Sequence, residues 1–311
     1  MKINPGRTAI IVAAICLALG MTSCGGKKNL AFLDSGQLFH DGKDLYDRGK
    51  YLKSIEYFQT IVYNYPGVTL VDTAQYYLAM SYFNNKDYEL SKVEFNRLAV
   101  NYPSSAFFQD ALFMKAVAAF ESTPKHYGLD QSELHDAISE LEDFLVDFPE
   151  SGHVEEAKHY LNLAKGRLAH KYYEDGMVYM NIGAYEAATI YFQKVIDDYT
   201  NTDFAPEAMF KYAMARFKQK KYDEASQKFA NFPVAFPKSV HVAEAQQYEQ
   251  ESAFRAARQA YDKQDFAAAK EKLLLFKQSY PDSKFNDDVD KYLRLLENVD
   301  VGSAEKADAG S

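Results

Sequence analysis

Three sets of residues could do chemistry: two cysteines, seven histidines and a column of aromatic rings. Cys16 and Cys24 both lie near the N-terminus, so neither can staple the body of the chain. The histidines are His40, His126, His135, His153, His159, His170 and His241. No two stand four residues apart with a flanking acid, as a helical metal site needs, and no glycine-rich phosphate loop occurs. Glu155 and Glu156 read as first-turn acids favoured by a helix dipole, not as an acid/base pair. The chain is therefore not expected to be an enzyme, and no metal or cofactor is expected. The rings point elsewhere. Residues seven apart are two helical turns apart and share a face. The pairs are Phe39 and Tyr46, Tyr76 and Phe83, Phe113 and Phe120, Tyr173 and Met180, Phe210 and Phe217, Phe254 and Tyr261. Met80, Met177 and Met214 each follow the first ring of a pair by four residues. A face of rings and methionines suits extended or helical peptides with apolar side chains.

The elements that must carry this face are written as a repeat. Tyr88 to Pro103 is an aromatic residue, an apolar helix face and a stop, Asn-Tyr-Pro, and Tyr51 to Pro66 repeats it. Further versions end at Phe148-Pro149, Tyr199-Thr200, Phe236-Pro237 and Tyr280-Pro281, with spacings of 37, 46, 51, 37 and 44. The spacing of 37 resembles the tetratricopeptide period of about 34, a helix–turn–helix unit. The columns agree. Small residues recur at Gly42, Ala79, Gly176, Ala213 and Ala257, and aromatic ones at Tyr51, Tyr88, Tyr185, Tyr222 and Phe266. A second small column holds Ser54, Ser91, Ala137, Ala188, Ala225 and Ala269. A bulky one holds Phe58, Phe95, Leu141, Phe192, Phe229 and Leu273. Alternating small and large residues lets paired helices interdigitate at close range. The expected fold is all-α: a tetratricopeptide-like helical-hairpin solenoid of five to six repeats plus a C-terminal capping helix.

The expected organisation follows the spacings. Repeats one to three occupy 35–150, with the polar insert Ser122 to Gln131 read as a loop. A long helix over 151–183 connects to repeat four and splits the array into halves. Repeats four to six occupy 184–282, a capping helix 283–298 and a disordered tail 299–311. In tetratricopeptide folds the ring column looks into a concave groove. The groove residues expected to bind are Phe39, Tyr46, Tyr76, Met80, Phe83, Phe113 and Phe120. A partner-docking surface is placed at Tyr173, Met177, Met180 and Tyr185.

The N-terminus reads as an address. Lys2 and Arg7 precede an apolar stretch, Thr8 to Gly20, too short to span a bilayer comfortably. Met21-Thr22-Ser23-Cys24 resembles the lipobox of bacterial lipoproteins. That resemblance implies a signal peptide over 1–23, acylation of Cys24 and a short tether over 24–34. By resemblance to enteric sorting signals, Gly25 in place of an Asp implies the outer membrane, and the lack of the acidic run that surface-export signals carry over Gly25 to Asn29 implies that the chain faces the periplasm. The net charge of −9 opposes nucleic-acid binding.

Three stretches make the chain similar to the BamD family of outer membrane protein assembly factors. They are Leu45 to Pro66, the loop with His126-Tyr127-Gly128 and Asp130-Gln131-Ser132, and Lys171 to Thr200. The resemblance implies a lipid-anchored periplasmic scaffold of the β-barrel assembly machinery. Its partners would be unfolded outer membrane proteins, the barrel-forming subunit and accessory lipoproteins. Other periplasmic tetratricopeptide scaffolds, tied to the envelope or division, remain open. A SusD-like glycan-binding lipoprotein is opposed by the absence of tryptophan.

Overall fold

The computed structural model describes Leu30 and residues 33–308, with side chains described to residue 298. Cys24 and the signal peptide lie outside the described residues. Among the described residues there are thirteen α-helices and no strand. They form two compact units, one up to Ala118 and one from Ala119.

Unit 1 is built from hairpins. α1 (Ser35–Asp47) pairs with α2 (Tyr51–Asn64), and α3 (Val71–Asn84) with α4 (Tyr88–Asn101). α5 (Phe108–Ser122) begins in this unit and runs across the boundary. α1 starts where the Asp34 carboxylate accepts the amides of Gly36 and Gln37, at 2.9 and 3.0 Å. That satisfies two of the orphan donors every helix N-terminus leaves. Leu38, Ile55, Phe58, Ile61, Ala74, Leu78 and Tyr82 form one core. Leu30 and Leu33 pack against it, and the Tyr65 hydroxyl donates to the Leu33 carbonyl at 3.2 Å. The end of the expected tether is therefore held against the fold, because two leucines there have apolar surface to bury.

Unit 2 continues with α6 (Ser132–Asp147), α7 (Val154–Asn181), α8 (Tyr185–Asp198), α9 (Phe204–Lys218) and α10 (Tyr222–Ala235). α11 (Val242–Asp262), α12 (Phe266–Ser279) and α13 (Asn286–Asp308) complete it. Two expectations need correction here. α7, 28 residues long, does not divide the array. Its Ala164, Leu168 and Ala169 share one core with Leu134 and Ala137 of α6, Phe192 of α8 and Ala208 of α9. Small and apolar residues buried at several points along this otherwise polar helix join the hairpins on either side of it. The last helix also runs on to Asp308, through the stretch read as a disordered tail. Ala304-Glu305-Lys306-Ala307 is made of strong helix formers, so polarity alone was a poor guide there.

The repeat columns explain the hairpins. All six bulky-column residues and all six of the second small column are buried. A Cβ at Gly42 would lie 3.3 Å from the Phe58 ring, and one at Gly176 would lie 2.6 Å from the Phe192 ring. The first small column is small because the bulky column fills its place. The second adds a bond: Ser54 and Ser91 donate to the carbonyls of Gly42 and Ala79, each at 3.0 Å. Each of five hairpin turns holds one residue in the left-handed region: Gly49, Lys86, Gly183, Lys220 and Gln264.

Candidate functional site

The ring face of unit 1 is set by α1 and α3. Phe39 lies edge-on to Phe58 at 5.7 Å and to Tyr77 at 6.0 Å. Tyr46 lies edge-on to Tyr51 at 5.5 Å and to Tyr77 at 5.3 Å. Asn84 donates to the Tyr46 hydroxyl at 2.9 Å. Tyr76 stacks on Phe107, with centroids 4.4 Å apart, and Phe83 lies edge-on to Tyr88 at 5.3 Å. Phe39, Tyr46, Tyr76, Met80 and Phe83 are all partly exposed. Burial pushes the Tyr76 phenol up to about 12, and it also raises Tyr46.

Two expected groove residues are not there. Phe113 and Phe120 are 1% and 2% exposed, so they are core and present nothing to a ligand. They fall on α5, which buries Ala111 and Ala116 to Ala119 as well. A helix hidden on nearly every side has no free face for its ring pair. Residues absent from the sequence reading also appear. Tyr77 touches Phe39, Tyr46, Phe58 and Tyr76 and so joins α1, α2 and α3. The Lys43 ammonium sits 5.1 Å from the Tyr77 ring and pairs with Asp47 at 2.6 Å. The double tyrosine at 76 and 77 was the available signal, since adjacent rings on a helix must serve two neighbours.

The hairpin column has a second role. Tyr46, Phe83, Phe217 and Tyr261 each meet a ring opening the following helix, Tyr51, Tyr88, Tyr222 or Phe266, at 5.3–5.6 Å. Such edge-to-face pairs contribute about 0.5–1.5 kcal/mol beyond area burial. These rings brace the turn as well as lining a face.

In unit 2, Tyr173, Met177 and Met180 are partly buried against the core around Phe192. Tyr173 lies 5.9 Å from the Phe192 ring and 5.6 Å from Phe204. Tyr185 is partly exposed. Outside them, Val178, Ile182 and Ile190 are well exposed.

Glu94, 5% exposed, accepts from Gln75 at 2.7 Å, Tyr63 at 3.1 Å and Arg97 at 2.9 Å. Its oxygens are engaged in linking α2, α3 and α4. Among the described residues, no group of three His, Cys, Asp or Glu is placed to hold a metal ion. Among them, too, no helix is long and apolar enough to cross a membrane.

Comparison with known proteins places the chain. The family model described as outer membrane lipoprotein, YfiO, matches residues 33–213 and again 172–299. The chain belongs to that family. It is 24% identical over 242 residues to the outer membrane protein assembly factor BamD of Caulobacter vibrioides, covering 76% of this chain and 79% of that protein. It is 26% identical over 236 residues to BamD of Rickettsia prowazekii, covering 75% and 93%. Among solved structures it is similar to a tetratricopeptide repeat protein from Parabacteroides merdae, at 13% identity and a TM-score of 0.31 over 85% of this chain and 98% of that one. It is also similar to the P58(IPK) tetratricopeptide domain, at 15% identity and a TM-score of 0.36 over 90% and 69%. The all-α, tetratricopeptide-like class rests on the chain's own hairpins and columns. As a member of the outer membrane lipoprotein family, the chain associates with the outer membrane.

Proposed function

We propose that this chain is an outer membrane protein assembly factor: a scaffold of the β-barrel assembly machinery, anchored through acylated Cys24 and facing the periplasm. The observation that carries this reading is the family match over the repeats, joined to two relatives that bear the assembly-factor name. The ring face of unit 1 supports a receiving role. Phe39, Tyr46, Tyr76, Met80 and Phe83 offer partly exposed aromatic and thioether surface on two neighbouring helices. That surface suits the apolar and aromatic side chains of an unfolded outer membrane protein. Tyr173, Met177, Met180 and Tyr185 are the docking surface for the barrel-forming subunit in this reading, and accessory lipoproteins complete the assembly.

A titration tests the first contact. Tyr76→Ala combined with Phe83→Ala is expected to weaken binding of a peptide ending in an aromatic β-signal by about tenfold or more, the cost of losing two ring contacts. Circular dichroism guards against unfolding, since Tyr76 also packs on Phe107. Unchanged affinity in a folded double variant rejects the ring face as the receiver. Pulldown of the acylated protein tests the scaffold role. Recovery of a barrel-forming subunit supports it, while recovery of polysaccharide transporters sinks it.

A further inference from the structure

Two departures from the repeat pattern meet in unit 2. The insert between α5 and α6 places His126 on Tyr127 at 4.7 Å, and Tyr127 against His170 of α7 at 4.7 Å. His170 in turn stacks on Phe204 at 4.6 Å, with an interplanar angle of 11°. Phe204 follows the one stop that lacks proline, Tyr199-Thr200. Where a repeat breaks its own rules, a functional cause is the first thing to seek.

A cleft of about 420 Å³ opens between α7 and the start of α9. Its α7 wall carries His159, Asn162, Arg167 and His170, and its other wall carries Asn201, Thr202, Asp203 and Phe204. Its volume lies within the roughly 300–1,000 Å³ of ligand pockets. Arg167 is the unusual member. Its guanidinium lies 3.9 Å from the Phe120 ring centroid and donates from one nitrogen to the Thr123 hydroxyl at 3.1 Å. That same nitrogen lies 3.5 Å from the Phe120 carbonyl. Among the described residues no carboxylate pairs with it. Arg48, Arg97, Arg216, Arg255 and Arg258 each do have one. Burial pulls the Arg167 pKa down, and the nearby Glu121 carboxylate, which acts the other way, does not offset it. Its remaining donors form the planar fork that a carboxylate matches.

We propose that this cleft binds an acidic side chain that stands beside an aromatic one in a partner polypeptide. Arg167 takes the carboxylate, with the amides of Asn162 and Asn201 and the imidazole of His159 along the same walls. The His170–Phe204 stack takes the ring. Asp203 on the far wall repels a second negative charge, so the segment carries one acid, not a run. The site is separate from the ring face of unit 1, and its test does not depend on it.

The test is a fluorescence anisotropy titration of the full chain. The probe is the peptide Gly-Ser-Asp-Phe-Ser-Gly, labelled at its N-terminus and amidated at its C-terminus. Saturable binding is expected, weakened about tenfold or more when asparagine replaces its aspartate. Arg167→Gln is expected to cost as much. Because Arg167 also packs on Phe120, Asn201→Asp is the companion variant: Asn201 is exposed, and a new carboxylate there should repel the peptide. Failure to saturate overturns the proposal, as does equal affinity for the asparagine peptide or indifference to both variants. Tighter binding of an acid-free peptide with a free C-terminal carboxylate also overturns it, by assigning the cleft to chain ends.

Discussion

Gly176 and Gly166 both lie inside α7, and a methyl group at each should act in opposite directions. At Gly176 it would meet the buried Phe192 ring at 2.6 Å, which neither helix can yield without moving the core. Gly176→Ala is expected to destabilise unit 2 by about 1–3 kcal/mol in urea unfolding, the usual cost of overpacking. At Gly166 nothing lies within 4 Å. Gly166→Ala should stabilise by about 0.5–1 kcal/mol through helix propensity alone. A second prediction concerns Tyr76. Its phenol is raised from 10.0 to about 12 by burial, so the folded state holds the proton more tightly than the unfolded state. That contribution is complete below pH 10 and is lost as pH rises towards about 12. Tyr76→Phe should flatten the fall in thermal midpoint across that window. Single residues also show the limits of reading from sequence. The small and bulky columns could be read because each copy repeats the same clash. Tyr77 was signalled only by the doubled tyrosine, because its partners lie on two other helices as well as its own. Phe113 and Phe120 share the spacing of the exposed rings, and only their neighbours make them core.

Helix ends and turns were legible where stereochemistry repeats. The loop expected at Ser122 to Gln131 falls between the end of α5 and the start of α6. Gln131 closes it by donating to the carbonyls of Pro124 and His126, at 2.9 and 3.2 Å. The hairpin turns make their own prediction. Lys86 and Lys220 hold φ of 67° and 61°, where a Cβ crowds the backbone. Gly occupies the corresponding place at 49 and 183. Lys86→Gly and Lys220→Gly are each expected to raise stability by about 0.5–1 kcal/mol, the relief of strain exceeding the entropy that glycine adds to the unfolded chain. A fall in the urea midpoint would mean that the lysine side chains brace these turns. The role of α7 was not legible, because a long amphipathic helix looks the same in sequence whether it separates two cores or joins them.

Across the molecule, apolar surface is divided among several cores, each shared by neighbouring hairpins. Such a chain should lose structure piece by piece rather than all at once. Phe276 lies in the core formed by α11, α12 and α13. Phe276→Ala should cost about 3–5 kcal/mol locally. Amide hydrogen exchange should then rise in those three helices while the core around Phe58 keeps its protection. Uniform acceleration would show a single cooperative block instead.

α5 sets a practical rule for dissecting this protein. Its Ala111 closes a core in unit 1, while its Ala119 and Phe120 close one in unit 2. The boundary between the units therefore falls within one helix, with no loop to cut. A fragment ending at Ala118 stops inside α5, and one beginning at Ala119 starts without most of it. Each half, made alone, needs its own complete copy of Phe108–Ser122, so the two soluble fragments must overlap in sequence.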